Sequence, residues 1–274
     1  MSASLVVLTD FLAVSNCALS YAATLAVPLH AHLVLLHLRH DGLLSPEEYS
    51  RQHSPQGEKQ LEQALGKLVN TLAVPAEVEI SEEFLPDAVT DTVHHHHPLM
   101  LVLGRPGTAT SPTELISVTV MDLLRTAPYP LLIVPTMGWE VQPPTHLLLA
   151  VDGQEFTLGT HAGVVEKLRA AFGARLSVAH ITSPTDPQPP MSRETVWSVC
   201  ASGLASDLTS ADVHELKYPS VAEGILQAGT ELRADMLVLI ARRHSLLGSL
   251  FHRSVTAQVI RDSMLPILVL PSPD

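Results

Sequence analysis

Gly104 and Gly107 stand three positions apart directly after an apolar run, Leu99-Met100-Leu101-Val102-Leu103, and nine residues separate Gly107 from Ser117-Val118. Glycines so placed let backbone N–H groups approach an anion closely, and a helix N-terminus beyond them adds a favourable dipole, so the pattern suits a phosphate. Asp10 follows the first apolar run, and Asp152 closes a later one, Leu147-Leu148-Leu149-Ala150-Val151. Single acids in separate parts of a chain suit contact with a ligand or Mg²⁺, or the capping of a helix, better than paired acid–base chemistry. Arg242, Arg243, His244, His252 and Arg253 form a basic group on a chain of formal net charge −12. Such a group can hold a phosphate by side-chain charge, although a solvated surface cluster is the reading its composition favours.

Other conspicuous residues carry less. In His94-His95-His96-His97, adjacent helical side chains point about 100° apart, so only His94 and His97, with Asp91, share a face. That is a thin ligand set with no paired cysteines beside it, and no metal is expected there; a histidine-rich helix end is the plainer reading. Cys17 and Cys200 occupy unrelated positions and are expected to be inert thiols. No G-x-S-x-G elbow, Walker loop, H-E-x-x-H or paired-cysteine motif occurs, and no residue is expected to be catalytic.

Those residues need a scaffold, and the chain spells it twice. Ala31-His32-Leu33-Val34-Leu35-Leu36-His37 aligns with Ala174-Arg175-Leu176-Ser177-Val178-Ala179-His180. A steady offset of 136 then relates Met100-Leu101-Val102-Leu103 to Met236-Leu237-Val238-Leu239, Arg125 to Arg261 and Pro130 to Pro266. His37 and His180 end matched strands and read as structural. Two copies of this length indicate duplication of a domain, at 1–136 and 145–274, with the proline-rich stretch around Pro143-Pro144 between them. Within each copy short Val/Leu/Ile runs alternate with longer helical patterns, and the runs are continuously apolar, as parallel strands covered on both faces require.

The expected architecture is α/β: two tandem, five-stranded, mostly parallel sheets flanked by helices. Strands are expected near 4–9, 31–37, 76–80, 99–104 and 131–135, with helices near 14–27, 57–73, 86–97 and 113–126. In the second copy strands are expected near 146–151, 175–181, 211–217, 235–240 and 267–270, with helices near 156–172, 191–207, 220–233 and 247–263. In such sheets ligands bind beyond the carboxyl ends of the strands, where Asp10, Gly104 and Gly107 fall.

The element order, the aspartate after strand one, the second strand ending in His and the G-x-x-G-x9 frame after strand four resemble the universal stress protein family. The resemblance covers nearly the whole chain, as two family domains in one polypeptide. It implies a nucleotide site in the first copy for ATP with Mg²⁺, held by Asp10, the backbone at Leu38, and Gly104 and Gly107. Ser117-Val118 stands where the family has Gly-Ser, and Ser117 or Thr119 is left to donate a hydroxyl. In the second copy only Asp152 and Ser254 match, while Ile240, Arg243 and Arg253 replace the three glycines, which implies a lost phosphate loop. The resemblance also implies pairing through the last strands, here Leu131-Leu132-Ile133-Val134 with Ile267-Leu268-Val269-Leu270, as an intrachain pseudo-dimer; homodimerisation of the whole chain stays open.

Two functions stand first at this point, with an ATP-hydrolysing enzyme a weaker third because no base is recognisable. One is a cytoplasmic stress-response protein that senses ATP or a related nucleotide through its first copy, favoured by Gly104 and Gly107. The other is a nucleotide-independent module that binds a protein partner, favoured by Val118, Ile240 and Arg253. The acidic balance argues against a nucleic-acid partner, and no apolar run approaches the roughly 18 residues of a membrane span. With no basic n-region before Leu5, a secretory signal is not expected and a cytoplasmic location follows by default.

Overall fold

Ten strands and the helices between them are resolved in the computed structural model, which describes residues 3–9, 13–39, 55–105, 113–136, 141–183, 192–242 and 254–273; of these, 13–15, 55–58, 113–118 and 192 are described by backbone alone. In chain order the first half comprises β1 (Ser4–Thr9), α1 (Ala13–Ala26), β2 (His32–Leu38), α2 (Pro55–Thr71), β3 (Ala76–Ser81), α3 (Leu85–His96), β4 (Met100–Arg105), α4 (Thr113–Thr126) and β5 (Leu131–Pro135). The second half repeats it with β6 (His146–Val151), α5 (Gly163–Phe172), β7 (Arg175–Thr182), α6 (Ser192–Ala201), β8 (Val213–Lys217), α7 (Val221–Glu231), β9 (Met236–Arg242), α8 (Val255–Asp262) and β10 (Ile267–Ser272).

The strands form one sheet in the order β3-β2-β1-β4-β5-β10-β9-β6-β7-β8. Neighbours within each half are parallel. The halves meet at β5 and β10, which pair antiparallel with Ile267 opposite Ile133, Leu268 opposite Leu132 and Val269 opposite Leu131. Every residue of β1, β5 and β10 is buried, because helices cover both faces of these central strands. One apolar core holds Leu5, Val7, Leu33, Leu35 and Val102 against α1, and Leu147, Leu149, Val178 and Val238 against α5. The opposite core holds Val6, Val34 and Leu101 against α3 and α4, and Leu148, Leu237 and Leu239 against α7 and α8. The outermost strands, β3 and β8, carry Glu77, Glu79, Glu215 and Lys217, charges that discourage further edge pairing.

Most expected elements lie within two residues of their observed ends. Two helices are shorter than expected. The one expected over 156–172 begins only at Gly163, because Phe156 and Leu158 enter the core as irregular chain and Gly159 takes φ +53° in a 3₁₀ turn. The one expected over 191–207 ends at Ala201: Gly203 turns to φ +76°, and Leu204 and Ala205 turn into the core. The last helix, expected from 247, is described from Val255, and the residues before Ser254 lie outside the described residues.

The seam between the halves is also held at both ends of its strands. Arg105, the last residue of β4, is buried and donates from Nη1 to the Arg261 carbonyl at 2.7 Å and from Nη2 to the Ser263 carbonyl. These carbonyls belong to the C-terminal end of α8, where a cation also complements the helix dipole. At the other end of the seam Tyr129 meets His161 edge to face, with ring centroids 4.9 Å apart. Replacing Arg105 by Met should therefore lower stability by about 3 kcal/mol, since buried carbonyls lose charged donors. Urea unfolding of the purified chain would show it as a lower midpoint, with Arg105→Lys recovering only part.

His146 opens β6 as a buried polar residue. Its Nδ1 lies 2.9 Å from Arg175 Nη2 and 3.2 Å from the Arg233 carbonyl, and its Nε2 lies 2.9 Å from Ser177 Oγ. Burial first, and the Arg175 charge second, hold this imidazole below the ordinary histidine range; burial does the same to His161. A lowered folded-state value means that below about pH 6.5 the unfolded chain takes up a proton that the fold refuses. Stability should be complete above that pH and fall as pH drops through it, with His146→Asn losing part of the fall; urea midpoints at about pH 7.5 and about pH 5.5 measure both.

Candidate functional site

In each half the strand order turns back at the boundary between strand one and strand four, so the crevice for a ligand lies beyond the carboxyl ends of β1 and β4, and of β6 and β9. In the first half Thr9 ends β1, and its carbonyl accepts the Nδ1–H of His37 at 3.0 Å, which ties the ends of β1 and β2 together. Leu38 ends β2 in register with Ser81, partly buried against the second core. Arg39 follows, with its Nη1 2.9 Å from Glu82 Oε1 and its backbone N–H donating to the Ser81 carbonyl. Gly104 is buried, pairs with Val134 of β5, and by the alternation of a strand sits on the face covered by α1. The structure thus brings Leu38 and Gly104 to one end of the sheet, on either side of β1. Ser117 lies in α4, described by its backbone, while Asp10 and Gly107 lie outside the described residues.

The corresponding end of the second half is arranged differently. Arg242, the last residue of β9, reaches across to the loop after β6. Its Nη2 donates to Asp152 Oδ1 at 2.9 Å and to the Gln154 carbonyl at 3.0 Å, and its Nη1 donates to the Glu155 carbonyl at 2.7 Å. Asp152 Oδ1 also accepts the Gln154 N–H at 3.0 Å, closing a tight turn in which Gly153 takes φ +78°. The arginine side chain is 9% exposed and the aspartate 55%. The acid that would face a nucleoside is therefore engaged by a cation of its own chain. Ile240 stands in the place of Gly104, paired with Leu270. Ser254 caps α8, accepting the Ala257 N–H at 3.5 Å.

Arg242 corrects the expectation of a solvated basic cluster: it is buried, because a strand-end guanidinium with three acceptors in reach is better satisfied there than in water. The other four members of that group lie outside the described residues. The signal available in the sequence was an arginine closing strand four beside an acid closing strand one. Among the described residues Asp91, His94 and His97 do not gather as a ligand group. His97 leaves the helix with φ +43°, and His94, His95 and His97 are exposed, while His96 turns toward the sheet. Cys17 is half-buried, donates weakly to the Pro135 carbonyl at 3.6 Å, and burial pushes its thiol up, away from nucleophilic use. His180 is buried mid-sheet, in register with Val151 and Glu215.

The sequence profile of the universal stress protein family matches residues 1–135 and again residues 144–271. The chain belongs to the universal stress protein family. Among solved structures, a universal stress protein from Archaeoglobus fulgidus DSM 4304 superposes with a TM-score of 0.69 at 16% identity, covering 100% of this chain and 98% of the other. A putative universal stress protein from Pseudomonas aeruginosa UCBPP-PA14 gives 0.57 at 17% identity, covering 98% and 93%. The cytoplasmic domain of a prokaryotic cation chloride cotransporter gives 0.56 at 10% identity, covering 99% and 96%, a likeness of fold. No curated protein sequence matches the chain. No helix among the described residues is long and apolar enough to cross a membrane.

In this universal stress protein the Arg242 clamp should be what orders the loop after β6. Arg242→Ala should raise amide hydrogen exchange at Gly153, Gln154 and Glu155 about tenfold, equivalent to about 1.4 kcal/mol of local protection, while exchange within β1 stays unchanged.

Proposed function

We propose that this chain is a cytoplasmic stress-response protein that binds ATP or a related adenine nucleotide through its first half alone, with the second half serving as a fixed structural partner. The observation that carries the reading is the contrast between the two strand-four ends. In the first half Gly104, the last residue but one of β4, places no side chain on the α1 face, at the same end of the sheet as Leu38 of β2. In the second half the same place holds Ile240, and Arg242 engages Asp152. A phosphate needs backbone N–H groups it can approach, which Gly104 and Gly107 favour and Ile240 opposes. Asp10 would take the nucleoside side of the site and Mg²⁺ the phosphate charge, with Ser117 donating a hydroxyl.

A second reading rests on Val118, which occupies a position where the family has a serine, and on the closed second half: a nucleotide-independent module whose surfaces bind a protein partner. Calorimetric titration of the tag-free, metal-stripped protein with ATP and MgCl₂ separates the two. Saturable heat near one site per chain, lost in Gly104→Arg and kept in Arg242→Ala, is the expected result. Absence of binding heat at any accessible ATP concentration transfers the assignment to the partner-binding module.

A further inference from the structure

At the opposite end of the first half, where its strands begin, three side chains from three elements converge. His32 opens β2, Glu77 lies second in β3, and His96 is the last residue of α3. The register that sets Val34 beside Glu77 brings the start of β2 against β3, on the face covered by α3. Glu77 Oε1 is 3.6 Å from His32 Nε2 and 3.4 Å from His96 Nδ1, and one ligand atom from each of the three lies within 4.8 Å of the others.

The far side of His96 is fixed as well. Its Nε2 lies 2.9 Å from Glu79 Oε2, and the other carboxylate oxygen, Oε1, accepts the Thr92 hydroxyl at 3.0 Å. A carboxylate can only accept, so Nε2 carries the proton. In a neutral imidazole that leaves the Nδ1 lone pair directed at Glu77 Oε1, one acceptor facing another. A second proton on Nδ1 or a metal ion bound between the two groups relieves that contact, and the third ligand, His32, is what favours the metal. A histidine whose outer N–H is held by a carboxylate, with its inner nitrogen free to ligate, is the usual supporting arrangement of a metal-bound imidazole.

We propose that His32, Glu77 and His96 bind a zinc-type dication, with Glu79 and Thr92 orienting His96 and one coordination position left to water. Zinc takes imidazole nitrogen and carboxylate oxygen at about 2.0–2.2 Å, which in a tetrahedron sets ligand atoms about 3.3–3.5 Å apart; the Glu77 contacts already fall within a few tenths of that. Two neutral imidazoles and a borderline-hard carboxylate favour zinc over magnesium or calcium, which select oxygen-only shells. The ion ties the edge strand β3 to β2 and to the end of α3.

The duplicated half supports the same reading by contrast. Arg175 stands at the place of His32, and Leu232 at the place of His96. There the Arg175 guanidinium lies 3.5 Å from the Leu232 carbonyl at the end of α7 and 2.9 Å from His146 Nδ1. A permanent side-chain cation thus fills in the second half the position that a metal ion fills in the first, and the site is particular to one copy.

The test is calorimetric titration of the full chelator-treated protein with ZnCl₂, without nucleotide, together with cobalt(II) absorption spectra. One zinc per chain is expected, with affinity at least about 100-fold weaker in Glu77→Gln and in His96→Ala, and about 10-fold weaker in Glu79→Gln. Glu77 is exposed on an edge strand, so Glu77→Gln keeps the fold, which circular dichroism verifies. The double variant His94→Ala/His95→Ala should bind as the wild type does, and bound cobalt should show the intense visible bands of a four- or five-coordinate ion. Absence of saturable zinc binding, unchanged binding in Glu77→Gln, loss in the His94/His95 variant, or a six-coordinate cobalt spectrum would each overturn the proposal; the second and third would assign zinc to the exposed histidine run. Because this site lies at the other end of the strands from Gly104, its failure and that of nucleotide binding are read separately.

Discussion

A parallel sheet that stops at an apolar strand leaves a row of backbone N–H and C=O groups facing water, and in each half of this protein that strand would be β5 or β10. Both are buried along their whole length, and neither carries a charge or an interrupting bulge that would protect it. Their antiparallel pairing satisfies both edges at once and lets the two apolar cores run uninterrupted from one half into the other. The sheet then ends at β3 and β8, whose Glu77, Glu79, Glu215 and Lys217 discourage further pairing. The helices follow the same continuity: α4 packs on α8, and α8 on α7.

Antiparallel pairing has a directional effect. The carboxyl end of the first half's strands lies beside the amino end of the second half's, which is why Arg105, next to Gly104, reaches the last turn of α8. The Gly104 end of the first half and its His32–Glu77–His96 cluster are separated by the length of the strands, so each can be altered without touching the other. The two halves share a plan but satisfy their polar ends with different chemistry: glycine against arginine at strand four, imidazole and carboxylate against guanidinium at strand two.

Local sequence pattern was enough for the strands and for the duplication, because continuous apolar runs and an offset of 136 are properties of neighbouring residues and of repeated spacing. The pairing of Leu131–Val134 with Ile267–Leu270 followed from the family resemblance, and the structure has it. The helix that begins at Gly163 starts seven residues later than its pattern predicts, because Phe156 and Leu158 mimic a helical apolar face while serving the core as irregular chain. Arg242 and His96 escaped for one reason. In sequence each belongs to a basic stretch or a lone helix, whereas what fixes each is an acceptor on another element, Asp152 after β6 for the first and Glu79 of β3 for the second. Glu77 and Glu79, two apart in a strand and thus on one face, were the readable half of that signal. The register placing them beside His32 was not.

The β5–β10 seam is made within one polypeptide, and its partner is therefore present at every protein concentration. A pair of identical chains meeting through the same strands would fall apart on dilution, and any substitution would appear on both sides of its twofold axis. Covalent linkage removes both constraints. One half is free to close its crevice with Arg242 while the other keeps Gly104, an inequality that a symmetric homodimer has no means of encoding.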